Sequence, residues 1–105
     1  MTDKRIVLST AASEEQARKI AHHLVENQLA ACVNIVPKIE SVYRWQGKVE
    51  SNHEYLLLIK TSSKKVAAVQ DAVHQLHSYE LPEVVALAVE DGSSAYLQWI
   101  EDSLA

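Results

Sequence analysis

His77-Ser78-Tyr79-Glu80-Leu81-Pro82-Glu83 places an imidazole, a phenol and two carboxylates in one short stretch. Pro82 forbids a helix from running on and biases Leu81 toward extended geometry. These groups therefore fall in a loop between a helix and a strand, the kind of segment that carries function on a rigid scaffold. Glu80 is spaced to pair with His77, which would tune the imidazole near neutral pH or aim it at a ligand. The same residues also read as a plain helix-ending turn with solvated acids. Cys32, the only cysteine, is either a soft ligand for a thiophilic ion such as Cu(I) or a small buried hydrophobe. Lys60 closes an apolar run and reads as an anion holder or as a lysine reaching for solvent.

The other histidines are less informative. His22 and His23 are adjacent, so a helix splays them onto its polar flanks and they form no chelate. His53 has no partner close in sequence. His74 and His77 are three apart on one side of a predicted helix, yet two ligands fall short of the three or four a zinc centre takes. A Gly-rich phosphate loop, GxSxG, HExxH and CxxC are all missing. With no nucleophile–base pair identifiable, the sequence predicts a protein that is not an enzyme.

A chain of 105 residues with 48% hydrophobic content suits one compact domain. Its net charge of −4 and pI near 5.7 offer no basic face for nucleic acid. The longest apolar run, Val84 to Val89, is far short of the roughly 20 residues that span a bilayer, so no membrane is expected. The single cysteine rules out an internal disulfide, and the first residues lack an apolar signal core. A cytoplasmic location is the expectation.

The elements that must position these groups follow from periodicity. Arg5 to Thr10 reads as a short buried strand. Ser13-Glu14-Glu15-Gln16 matches a capping box, and Ala17, Ile20, Ala21, Leu24 and Val25 repeat along one helical face. A helix is predicted from Ser13 to Gln28 or Leu29. Ala31 to Pro37 and Ile39 to Trp45 follow as extended pieces with a bulge or bend at Pro37. Gln46-Gly47-Lys48 turns the chain, and Val49 to Thr61 returns. Ser62 or Ser63 caps a second helix, with Val66, Val69, Val73 and Leu76 inward, that stops near Ser78. Glu83 to Glu90 is a final core strand. Ser93 or Ser94 starts a C-terminal helix that packs through Tyr96, Leu97, Ile100 and Leu104.

The order β-α-β-β-α-β plus a terminal helix makes an α+β fold of the ferredoxin-like type, with both crossover helices on one face of the sheet. The central hairpin outruns the other strands, and a two-stranded ribbon is marginal alone in water. Another subunit is the natural cover. Alternation sets Ile39, Ser41, Tyr43 and Trp45 on one face of that ribbon, an aromatic pair where a hairpin tip is usually polar.

Four blocks in order, Ala31 to Pro37, Ser41 to Glu50, Ile59-Lys60-Thr61 and His77 to Glu83, resemble the signature of the CutA divalent-cation tolerance family. The resemblance extends to Tyr96-Leu97-Gln98-Trp99. It implies a ferredoxin-like subunit in a tight homotrimer, similar to PII signalling proteins, with the long hairpins packed on neighbouring subunits. It also implies a role in metal tolerance, with copper or another divalent cation bound in some members. On that reading Cys32, His77 and Glu80 are the metal-ligating candidates. The family's His-Pro-Tyr-Glu motif stands here as His77-Ser78-Tyr79-Glu80. The alternative is a PII-like sensor whose intersubunit clefts, lined by Tyr43, Trp45, Lys60 and Tyr79 with His77 and Glu80, take a small molecule. A third reading is a trimer whose blocks serve assembly alone.

Overall fold

The computed structural model describes residues 2–105. Strand β1 (Lys4–Ala11) leads to helix α1 (Glu14–Glu26), and β2 (Cys32–Trp45) with β3 (Lys48–Ser62) forms the central hairpin. Helix α2 (Val66–Leu76), strand β4 (Val85–Ala88) and helix α3 (Ser94–Leu104) complete the order. The strands form one antiparallel sheet, β2-β3-β1-β4. This is the ferredoxin-like α+β architecture that the sequence predicts, with α3 appended.

Alternation along the strands gives the sheet two unlike faces. Val7, Leu57 and Ile59 point toward α1 and α2, where they meet Ile20, Leu24, Val69 and Val73, all fully buried. Lys4 and Lys60 alternate to the other side and meet α3. Lys4 Nζ lies 2.6 Å from Glu101 and 2.8 Å from Asp3. Ile100 and Leu104 pack with Ala31 at this end. Beyond α3 the face stays open, with Val85 48% and Leu87 47% exposed.

The helix ends show why the elements stop where they do. Ser13 caps α1, its Oγ accepting from the Gln16 N–H at 3.1 Å. The capping box is only half formed, because the Gln16 side chain, whose Oε1 would accept from the Ser13 N–H, turns to α2, where Nε2 donates to Leu76 O at 3.0 Å. Helix α1 closes at Glu26, earlier than expected, because Gln28 turns to φ 56. The N–H groups of Gln28 and Leu29 then donate back to Val25 and Leu24 carbonyls at 3.1 and 2.9 Å, a Schellman closure.

Three expectations are corrected here. The second helix opens as a 3-10 turn over Ser63–Lys65, and Ser62 before it makes no side-chain capping bond. Helix α2 ends at Leu76 with His77 already extended (φ −78, ψ 142), so His74 and His77 are not a pair along one helix. Strand β4 covers Val85–Ala88 rather than Glu83 to Glu90, and it is an exposed edge rather than a core strand. Among the described residues it pairs only with Arg5–Leu8 of β1, and no strand lies beyond it.

The hairpin carries the bulge expected at Pro37. Val36 pairs with Leu56 and Ile39 with Glu54, so β2 advances by one more residue than β3. Lys38 takes up the excess at φ 57. One extra residue inverts the alternation. Before the bulge Cys32 and Val36 share the open face, and beyond it Ile39, Ser41, Tyr43 and Trp45 do. Gln46 (φ 50) and Gly47 (φ 80) then form a two-residue turn with both φ positive, as a type I′ hairpin requires. The ribbon draws the molecule out to 44 Å, against 25 and 22 Å in the other directions.

Candidate functional site

Where the ribbon leaves the sheet, the segment between α2 and β4 folds against it and encloses a cleft of about 580 Å³. Tyr43, Trp45 and Tyr79 line it with aromatic surface, and Glu54, Glu80 and Glu83 with carboxylates. Thr10, Ser41 and Asn52 add neutral polar groups. The bulge at Pro37 and Lys38 is what aims Tyr43 and Trp45 here. In an unbroken register the same residues would face the helix side. Trp45 remains 40% exposed in the single chain.

His77 and Tyr79 hold the far wall. The His77 ring is buried, with Nε2 donating to Thr10 O at 2.5 Å and Nδ1 accepting from the Tyr79 N–H at 3.0 Å. That pattern fixes the tautomer with its proton on Nε2 and leaves neither ring nitrogen free. The Tyr79 ring lies 4.5 Å from the imidazole, and its hydroxyl donates to Glu54 Oε2 at 2.6 Å. Burial holds the Tyr79 phenol well above its ordinary value, and the bond to Glu54, the Glu54 charge and Tyr43 add to the shift. Across the ribbon the Asn52 amide donates to the Tyr43 hydroxyl. Pro82 is buried and anchors the loop, while Leu81 beside it projects into solvent.

The predicted site residues divide between two ends of the open face. Tyr43, Trp45, Tyr79 and Glu80 line the cleft, and His77 braces it from behind. Cys32 and Lys60 stand opposite each other in the β2–β3 register at the α3 end. From Glu54 to Lys60 along β3 is roughly 20 Å. Lys60 donates to Tyr96 Oη at 3.3 Å and sits 5.5 Å from the centre of that ring, which stacks on Trp99 at 5.4 Å. Lys60 therefore does not line the cleft of its own subunit. Sequence reasoning passed over Glu54, Thr10 and Asn52. The signal for Glu54 was available in the pairing of a carboxylate with Ile39 just after the bulge, but only once the register is known.

Cys32, His77 and Glu80 do not come together as a metal centre within one chain. Among the described residues no three His, Cys, Asp or Glu side chains lie close enough to hold an ion. Cys32 is at the opposite end of the sheet from His77, and both His77 nitrogens are engaged. No helix among the described residues is long and apolar enough to cross a membrane.

Comparison with known proteins agrees with this fold. The sequence profile of the CutA1 divalent ion tolerance proteins matches residues 5–103. A divalent-cation tolerance protein CutA of Thermus thermophilus is 48% identical over 100 residues, covering 95% of this chain and 97% of the relative. A chloroplastic CutA protein of Arabidopsis thaliana is 46% identical over 98 residues, 93% of this chain, and this chain spans 54% of that longer relative. The crystal structure of CutA from Xylella fastidiosa superposes with a TM-score of 0.96 at 40% identity, covering 99% of this chain and all of the other. On its sequence and its fold alike, this chain belongs to the CutA1 divalent ion tolerance protein family.

Proposed function

We propose that the protein acts in divalent-cation tolerance as a homotrimeric sensor, similar to PII proteins, that binds a small molecule in the cleft beside Tyr79. The observation that supports this is the cleft itself, about 580 Å³ with aromatic walls and a few convergent polar groups, the usual make-up of a ligand site. It opens on the sheet face that the chain leaves uncovered, so a neighbouring subunit would deepen it and bury Trp45. The single cysteine suits a reducing compartment, and we place the protein in the cytoplasm.

A second reading, direct binding of copper or another divalent cation, is favoured by the family's description and by the accessibility of Glu80 and, in part, Cys32. Because one chain does not gather Cys32, His77 and Glu80, this reading needs ligands from more than one subunit. Sedimentation, a metabolite panel and a copper titration separate the readings. Sedimentation of the purified protein is expected to give a trimer, and a metabolite panel is expected to contain a compound that raises its melting temperature. Copper titrated into wild type and His77→Ala is expected to show no difference between them. A saturable copper affinity that drops with His77→Ala establishes the metal reading instead.

A further inference from the structure

We propose that the cleft takes a small organic cation, an ammonium compound with an apolar body, in preference to an anion or a bare metal ion. This rests on the reading that the cleft binds a small molecule, and it names the chemical class. Every ionisable side chain with acidic or basic character at neutral pH that lines the cleft is a carboxylate: Glu54, Glu80 and Glu83. No lysine, arginine or histidine is among the lining residues. Lys48, opposite Trp45 at the hairpin tip, shares that ribbon face but lies outside the lining.

Glu54 carries the argument furthest. Its residue is only 7% exposed, and among the described residues it forms no ion pair. One oxygen accepts from Tyr79, and the other accepts no hydrogen bond from the described residues. A carboxylate withdrawn from water without a counter-charge is costly, and a neutral phenol offsets only part of that cost. A ligand that brings a positive charge completes the pairing. The walls are suited to the same charge, because Tyr43, Trp45 and Tyr79 line the cleft and an aromatic face carries the negative side of its ring quadrupole. Lys60 already makes such a contact with Tyr96 at the other end of the sheet, so it does not supply the cation to the cleft of its own subunit.

An inorganic ion is the poorer match. Magnesium or calcium takes six or more oxygens at 2.0–2.6 Å, and no three acidic, His or Cys side chains converge to that degree among the described residues. An ammonium compound needs no such convergence. Its charge is spread, its shell is soft, and its carbon atoms gain from the aromatic walls.

The test uses the intact protein in its assembled form. Choline is the probe, and its neutral isostere 3,3-dimethylbutan-1-ol is the control, each followed by calorimetric titration. Choline is expected to bind at least about tenfold more tightly than the neutral alcohol, the ratio that cation–π contact and a buried counter-charge produce. Glu54→Gln, which keeps an acceptor for Tyr79, is expected to erase that ratio. Trp45→Leu, confirmed by sedimentation to remain assembled, is expected to weaken choline roughly five- to tenfold. Should Glu54→Gln lose its native circular dichroism, Glu80→Gln with Glu83→Gln takes its place. Equal binding of choline and the alcohol overturns the cation proposal while leaving a small-molecule cleft. So does tight binding of a carboxylate or phosphate compound from the metabolite panel. If no compound of any charge binds, the proposal and the sensor reading fall together. Displacement of choline by magnesium or copper alone at equimolar concentration also overturns it.

Discussion

The two faces of the sheet are built from the same strands and end in opposite conditions. On the helix side, Val7, Leu57 and Ile59 are wholly covered by α1 and α2, and the apolar stripe of each helix is spent inside the chain. On the other side, α3 covers one end only. Val85, Leu87, Tyr96 and Trp99 are each between 42% and 48% exposed. Large apolar side chains left exposed on one side of a sheet point to an interaction site rather than to a finished monomer. The covered face is thus about folding, and the open face, which contains the cleft, is about what the folded chain meets.

The largest effects test this division directly. Leu57→Ala on the covered face is expected to cost about 2–5 kcal/mol, the lost transfer energy plus the cavity left in a rigid core. Leu87→Ala on the open face removes the same atoms at a site already half in water. For the separated subunit it is expected to cost below about 1 kcal/mol. Urea denaturation at low protein concentration reads the first quantity. Light scattering over a dilution series reads what Leu87→Ala does to assembly, where a weakened oligomer is expected. If the two variants are equally destabilised as monomers, the open face is more closed in solution than its exposure indicates.

Much of the covered face was legible in the sequence, because its information is local. The spacing of Ala17, Ile20, Ala21 and Leu24 marks the buried side of α1, and Val69 and Val73 mark that of α2. Pro37 marked the bulge, and Tyr43 and Trp45 were placed correctly on one side of the ribbon. The open face was harder to read. Strand β4 looked like core because Val84 to Val89 is an apolar run, and an apolar run does not say whether the chain itself covers it. The cleft was half legible. Its aromatic residues stood out by type, whereas Glu54 depends on a register set by the bulge and on Tyr79 reaching across from a distant loop.

Tyr79→Phe probes the cleft with an intermediate effect. Removing the hydroxyl leaves Glu54 buried without its donor, at an expected cost of about 1–3 kcal/mol. The alkaline behaviour gives a second readout. Folded Tyr79 holds its proton above the ordinary tyrosine value of 10.0, chiefly through burial. Above that pH the unfolded chain binds fewer protons than the folded one, so stability falls as pH rises. Lys4 acts in the same direction above its ordinary 10.5, because the bonds to Asp3 and Glu101 raise its pKa. Tyr79→Phe is therefore expected to flatten the loss of stability above pH 10 without abolishing it. Ultraviolet titration of wild type is expected to show one of the four tyrosines resisting ionisation until unfolding. If all four ionise together while the protein is folded, the Tyr79–Glu54 pair does not persist in solution.

The smallest effect lies where the chain passes from one face to the other. Gln28 closes α1 on the covered side at φ 56, a conformation that strains a residue with a β-carbon by roughly 1 kcal/mol. Its side-chain amide also donates to Ala105 O at 2.7 Å, tying that closure to the end of α3 on the open side. Gln28→Gly relieves the strain, loses the tie and adds freedom to the unfolded chain. The net expectation is a gain of at most about 0.5 kcal/mol. Gln28→Ala keeps the strain and loses the tie, so it is expected to fall below wild type, and the difference between the two variants isolates the backbone contribution. Hydrogen exchange supplies the spatial readout. Faster exchange at Ser103, Leu104 and Ala105 in both variants, with α1 unchanged in the glycine variant, shows that the two faces are coupled through this one side chain. Unaltered exchange at those residues shows instead that Ile100 and Leu104, packed with Ala31, hold α3 in place without help from the covered face.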